Sequence, residues 1–198
     1  AVKHAFDAAR YEYIRNAWLT EKIYIETNNR ITFFAHQIAE LYPQAKFIHL
    51  VRHPETFVKS GLTRNWYSGT NLHDEGRIVP VDRAKEEWER LSDVEKLAWL
   101  WNETNSWIEE FKLKMPPERL ATIKAEDLFR DGSVVQALFD FIKVPPPEEQ
   151  QINKLLKRKI NKGKQRALEL NAEQRKKINY MTPTTKKYYQ DIINVKKN

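Results

Sequence analysis

The chain has 198 residues, 41% of them apolar, with six Trp, five Gly and no Cys. That fits one ordinary domain with a core of its own. It excludes disulfides, zinc–thiolate sites and cysteine nucleophiles, and no apolar run approaches the roughly 20 residues of a membrane helix. No secretory leader is visible, so a cytoplasmic location is the default expectation. The net charge of +7 is uneven. Residues 151–198 hold 14 Lys and Arg against 3 acids, a local +11 that leaves −4 for residues 1–150. A basic end of this kind serves a polyanionic cofactor, an acidic acceptor or nucleic acid, or is simply a solvated helical surface.

In chain order, Ala5, Phe6, Ala9, Tyr13, Ile14 and Trp18 recur at three- and four-residue steps and predict a helix over Ala1–Leu19. Lys22–Thr27 reads as a strand. Asn28 or Asn29 then caps a helix over Arg30–Leu41, with Ile31, Phe34, Ala35, Ile38 and Leu41 on its apolar face. Tyr42-Pro43 ends it. Phe47–Val51 is an apolar run of strand length that stops at Arg52, and Pro54 opens a further helix, where its missing N–H has no intrahelical partner to lose. Two strands joined through a helix imply a parallel β-α-β unit. Arg52 thus stands at the carboxyl end of a strand, and Ser60 in the helix that follows. In open α/β sheets that edge binds ligands, and an Arg fork suits phosphate oxygens.

Arg64 to Asp82 is irregular, the pattern of a functional or mobile loop, in which Trp66 and Tyr67 either line a pocket or anchor the preceding helix. Ser92-Asp93-Val94-Glu95 is a capping box opening a long helix. Asn105 falls on its apolar stripe, where a buried amide must find partners. Pro116-Pro117 breaks it. Arg119–Lys124 reads as a short strand, with Glu126 and Asp127 capping the turn after it, and Ser133 starts another helix. Pro145–Pro147 marks a rigid boundary, and Asn171 and Thr182-Pro183 begin two final helices. The fold class is α/β, a parallel sheet flanked by helices with a helical basic C-terminal portion.

Arg52-x-Pro54, with Ser60 eight residues after Arg52, resembles the 3′-phosphate motif of the sulfotransferase family, whose donor is 3′-phosphoadenosine 5′-phosphosulfate (PAPS). Tyr42–Arg52 is similar to that family's "fP-x-akfIhlvRdP" run, and Arg119–Leu128 to its "rllvvrYEdL" block with Ala125 in place of the Tyr. Leu97–Asn105 resembles a "laW-x-W-x-x-x-n" pattern, and Phe139–Val144 an "l-x-x-Fl-g-v" ending. The resemblance implies a three-layer, P-loop-NTPase-like fold. It implies Arg52 and Ser60 as 3′-phosphate ligands. Arg64, one helical turn on, either adds charge there or pairs with a surface acid. Lys162-Gly163-Lys164 is similar to a basic glycine loop that closes over the 3′-phosphate in some relatives, or is a solvated turn. Glu26-Thr27-Asn28-Asn29 stands where many relatives carry Glu-Lys-Thr/Ser-Pro. Glu26 is then a general base towards the acceptor hydroxyl, or only a helix cap.

No G-x-x-x-x-G-K-[ST] phosphosulfate loop occurs, so the expectation is one sulfotransferase-like domain over 1–198 that begins partway into the family's fold. Its α/β core would be 20–144 and its basic helical portion 148–198. The implied activity is sulfuryl transfer from PAPS to a hydroxyl or amine of a small molecule or carbohydrate. It would leave adenosine 3′,5′-bisphosphate (PAP) and need no metal. The alternatives are a nucleotide-binding pseudoenzyme, a P-loop kinase relative that takes a metal-bound nucleoside triphosphate, and a basic nucleic-acid-binding module. The last is the weakest, because no reading motif accompanies the Lys-rich end. No motif bears on oligomeric state.

Overall fold

A computed structural model describes residues 2–67, 77–81, 84–157 and 168–189. The described elements are α1 (Val2–Leu19), a 3-10 helix (Asn29–Phe34) running into α2 (Ala35–Leu41), β1 (Phe47–Val51), α3 (Pro54–Thr63), α4 (Ala84–Arg90) and α5 (Asp93–Leu113). They continue with β2 (Leu120–Lys124), α6 (Ala125–Leu128), α7 (Gly132–Ile142), α8 (Glu149–Leu156) and α9 (Ala172–Met181), then a 3-10 turn over Pro183–Lys187. The protein is a mostly helical α/β structure. Among the described residues the sheet has two strands, β1 and β2, parallel and paired from Phe47↔Leu120 to Val51↔Lys124.

The strand expected over Lys22–Thr27 does not form. The segment has no ladder partner among the described residues, and Ile23 and Ile25 are 56% and 63% exposed. On its other side the side chains turn towards α1: Glu26 accepts from Arg10 Nε at 2.5 Å and from the Tyr24 hydroxyl at 2.7 Å. With one apolar row uncovered and the other row occupied by an ion pair, nothing drives this backbone into a sheet. The expected single helix from Arg30 is also split. Asn28 does cap it, accepting from Arg30 N at 3.0 Å, but the first six residues wind as a 3-10 helix.

The strand–turn–helix centred on Arg52 forms as the sequence implies, with Pro54 at the first position of α3. The capping box forms too: Glu95 Oε2 accepts from Ser92 N at 2.9 Å. α5 is the central pillar, burying Val94, Leu97, Ala98, Leu100, Trp101, Asn105 and Phe111. Its first half packs with Val58 of α3, Leu170 and Ile178 of α9 in one cluster. Trp101 joins Val51 and Tyr189 in a second. At the other end of β1, Phe47 meets Phe111 edge-on at 4.9 Å, and Arg119 holds the strand's approach by donating to Ala45 O at 2.9 Å.

α3 approaches α5 closely at Gly61. A Cβ there would lie 2.9 Å from Leu97 Cδ1 and 3.0 Å from Trp66 Cε3, and Leu97 is fully buried.

Between β1 and α5 lies a polar network. Lys112, an ammonium with three donors and no acceptor, gives one bond each to His49 Nδ1 (2.9 Å), Glu109 Oε1 (2.6 Å) and Thr122 Oγ1 (2.8 Å). His49 must therefore carry its proton on Nε2, which faces Asn105 Oδ1 at 3.0 Å. Asn105 completes its bonding by donating to Trp101 O at 2.6 Å. Burial, reinforced by the Lys112 charge, pushes the His49 pKa down to about 4.

Two expectations follow from this packing. Gly61→Ala gains helix propensity of about 1 kcal/mol, but overpacking against Leu97 costs about 1–3 kcal/mol, so denaturant unfolding should show a net loss of up to roughly 2 kcal/mol and no gain. An unfolded histidine takes up its proton near pH 6.5, whereas folded His49 resists protonation down to about pH 4. The unfolded chain binds the extra proton between those values, so stability present above pH 6.5 is lost as pH falls through this window. The loss should be on the order of 2–3 kcal/mol and should shrink in the same pH series with His49→Gln, leaving the part due to His53, whose pKa burial also lowers.

Candidate functional site

The carboxyl ends of β1 and β2 lie side by side, and the turn Arg52-His53 leads from β1 into α3. Three elements fix this turn. Trp101 Nε1, from α5, donates to Arg52 O at 2.8 Å. Glu126 Oε1, from the start of α6, accepts His53 N–H at 2.9 Å. Thr56, from α3, donates its hydroxyl to His53 O at 2.8 Å and accepts from Arg52 Nε at 3.1 Å.

From this turn a row of polar groups runs along α3. Thr56, Ser60 and Arg64 follow Arg52 at four-residue intervals, and in a helix such positions share a face. Ser60 is buried and its hydroxyl accepts from Arg64 Nη1. The row therefore has a guanidinium at each end and hydroxyls between them. Burial lowers the Arg52 pKa; the Glu126 carboxylate works against that, and the Arg64 charge adds to the lowering. Arg52 and Arg64 are thus close enough to feel each other. Two guanidiniums, one at a strand's carboxyl end and one along the helix that follows it, with hydroxyls between them, make a setting that suits a multivalent anion.

Glu26 lies apart from this row in the hydrogen-bond pattern, tied to Arg10, Tyr24 and, through Oε1, to Asn28 N at 3.2 Å. The Tyr24 hydroxyl foremost, with Arg10 and Asn28 N–H, holds its carboxylate below the usual range against the effect of burial. It is charged, and the cap of the helix that follows is Asn28. Lys162, Gly163 and Lys164 lie outside the described residues. Trp66 and Tyr67 serve as anchors: Trp66 packs on Phe57 at 5.6 Å beneath Arg77, and Tyr67 meets Trp88 at 5.0 Å. Tyr67 adopts a positive φ of 63°, costly for a bulky residue, and its hydroxyl donates to Ile78 O at 2.7 Å.

Sequence reasoning missed three contributors. Thr56 was visible as a hydroxyl four residues from Arg52. Trp101 reads as core, and it is core, yet its indole N–H also holds the Arg52 carbonyl. Glu126 reads as a cap, and instead reaches across to the other strand's turn. Its Oε2 accepts from the Tyr189 hydroxyl at 2.8 Å. Only the strand register brings Glu126 and His53 level, and register is not written in either segment alone.

Among the described residues no group of three or more His, Asp or Glu could hold a metal ion, and no helix is long and apolar enough to cross a membrane. Neither a curated protein nor a solved structure matched the chain. A sequence model described as the sulfotransferase family matches residues 1–148, three quarters of the chain. A match over that much of the sequence shows that this chain belongs to the sulfotransferase family.

Proposed function

We propose that this protein transfers a sulfuryl group from PAPS to a hydroxyl or amine of a small-molecule or carbohydrate acceptor. The observation that carries the reading is the row Arg52, Thr56, Ser60 and Arg64, with a cation at each end. Its charges and hydroxyls suit a phosphate dianion, whose oxygens a guanidinium fork can bind in pairs. Arg52, Ser60 and Arg64 would hold the 3′-phosphate, with Lys162, Gly163 and Lys164 as further contacts drawn from the basic end. When bound, the nucleotide supplies the activated sulfuryl group.

The chain's own residues would bind and orient. Thr56 sets the angle of the Arg52 fork. Glu26 is assigned to the acceptor side, with Oε1 as the accepting atom, because Oε2 already takes both Arg10 and Tyr24. Its lowered pKa makes it a weak base, so its chief action would be to orient the acceptor hydroxyl and then take its proton as the bond forms. No metal is part of this proposal. A three-layer sheet belongs to the same reading. It is supported by the parallel pairing of β1 and β2 and by Ile48 and Leu50, 42% and 50% exposed on a kind of sheet that ordinarily buries both faces.

The test is calorimetric binding of adenosine 3′,5′-bisphosphate against adenosine 5′-phosphate. The wild type should prefer the bisphosphate by about ten- to a hundredfold, and Arg52→Ala should abolish the preference. Equal affinities in the wild type, with binding of a metal-bound nucleoside triphosphate, would move the assignment to a kinase relative. Glu26→Gln should leave bisphosphate binding intact and lower turnover by roughly a hundredfold in a sulfate-transfer assay. An unchanged rate would remove Glu26 from the chemistry and leave it a partner of Arg10, Tyr24 and the Asn28 amide.

A further inference from the structure

Val51 pairs with Lys124, so His53 and Glu126 each stand two residues beyond a strand end. Glu126 divides its oxygens between two partners, Oε1 accepting from His53 N and Oε2 from the Tyr189 hydroxyl. Tyr189 reaches this point from the segment after α9. It is 6% exposed, packs with Val51 and Trp101, and meets the His53 ring edge-on at 5.0 Å. The Lys124 ammonium lies 5.3 Å from its ring centre.

A phenylalanine would fill the same space. What the hydroxyl adds is directed at one carboxylate, and that carboxylate lies within electrostatic reach of Arg52. Its bonds to His53 N–H and Tyr189 keep Glu126 charged despite burial. A charged carboxylate deprived of one partner seeks another, and the Arg52 guanidinium is a nearby one.

We propose that Tyr189 is a positioning residue for the anion site: it holds Glu126 on the His53 N–H, which fixes the Arg52 turn, and it keeps that carboxylate from competing with phosphate for Arg52. The inference rests on the reading of Arg52 as a 3′-phosphate ligand. Glu126 is the agent through which Tyr189 acts, so the two residues must couple. A tyrosine needed only for packing would show no such coupling.

The experiment compares wild type, Tyr189→Phe, Glu126→Gln and the double variant, by calorimetry with adenosine 3′,5′-bisphosphate and adenosine 5′-phosphate. Hydrogen exchange at the His53 amide is followed in parallel. Tyr189→Phe should weaken the bisphosphate by about tenfold, leave the monophosphate unchanged, and speed exchange at His53. In the Glu126→Gln background the same change should cost less than about twofold, because the competing charge is gone. Equal losses for both nucleotides, an unchanged bisphosphate affinity, or the same loss in both backgrounds would each overturn the inference while leaving the site reading in place. A wild type blind to the 3′-phosphate would overturn both.

Discussion

Parallel strands deliver their carboxyl ends to the same edge, and the first peptide groups beyond that edge belong to neither strand nor helix. They have no ladder partner and no intrahelical partner, so something else must take their hydrogen bonds. Here the answer is a side chain from the neighbouring strand's exit. Glu126 takes the His53 N–H, while Trp101 supplies a donor to the Arg52 carbonyl. The turn is thereby gripped by the element after β2 on one side and by α5 on the other. Without an acceptor oxygen at position 126, α3 would lose one of the bonds that set its starting angle, and with it the line of Thr56, Ser60 and Arg64.

The grip extends below the site. The Trp101 main-chain carbonyl accepts from Asn105, Asn105 bonds His49, and His49 bonds Lys112, so the residue whose indole holds Arg52 has its backbone tied into a satisfied polar column within the α5 packing. Each member has its partners, which is what makes such a buried network rigid rather than costly. Tyr188 and Lys187 bring the C-terminal segment onto the same column through Glu109.

Much of this was legible before any coordinates. An apolar run halted by Arg52-His53-Pro54 can only be a strand meeting a helix, and Asn105 was conspicuous as an amide on an apolar stripe. Ser92 and Asn171 announced their helix starts and both made reciprocal caps. Lys22–Thr27 misled because alternation of apolar and polar residues signals a strand only when a sheet is there to receive it. Glu126 and Tyr189 were opaque for a different reason: their meaning depends on which strand lies beside which, a long-range fact. The charge imbalance is also resolved by contact. Arg175 pairs with Glu55 of α3, Lys177 with Glu95 of α5, and Lys187 with Glu109, so part of the basic end is complementary to acids of the first 150 residues.

Ser60 and Gly61 are adjacent in sequence, about 100° apart around one helix, and serve different neighbours. Ser60 turns its hydroxyl to Arg64, while Gly61 yields its side-chain space to Leu97. Adding or deleting one residue between Arg52 and Ser60 would rotate everything after it by about 100°. The Ser60 hydroxyl would then leave Arg64, and the space that Gly61 yields would no longer face Leu97. The stretch from Arg52 to Arg64 is therefore locked in length as well as in composition. In natural variants insertions should be absent from it and gather after it, where α3 has ended and no register remains to be kept.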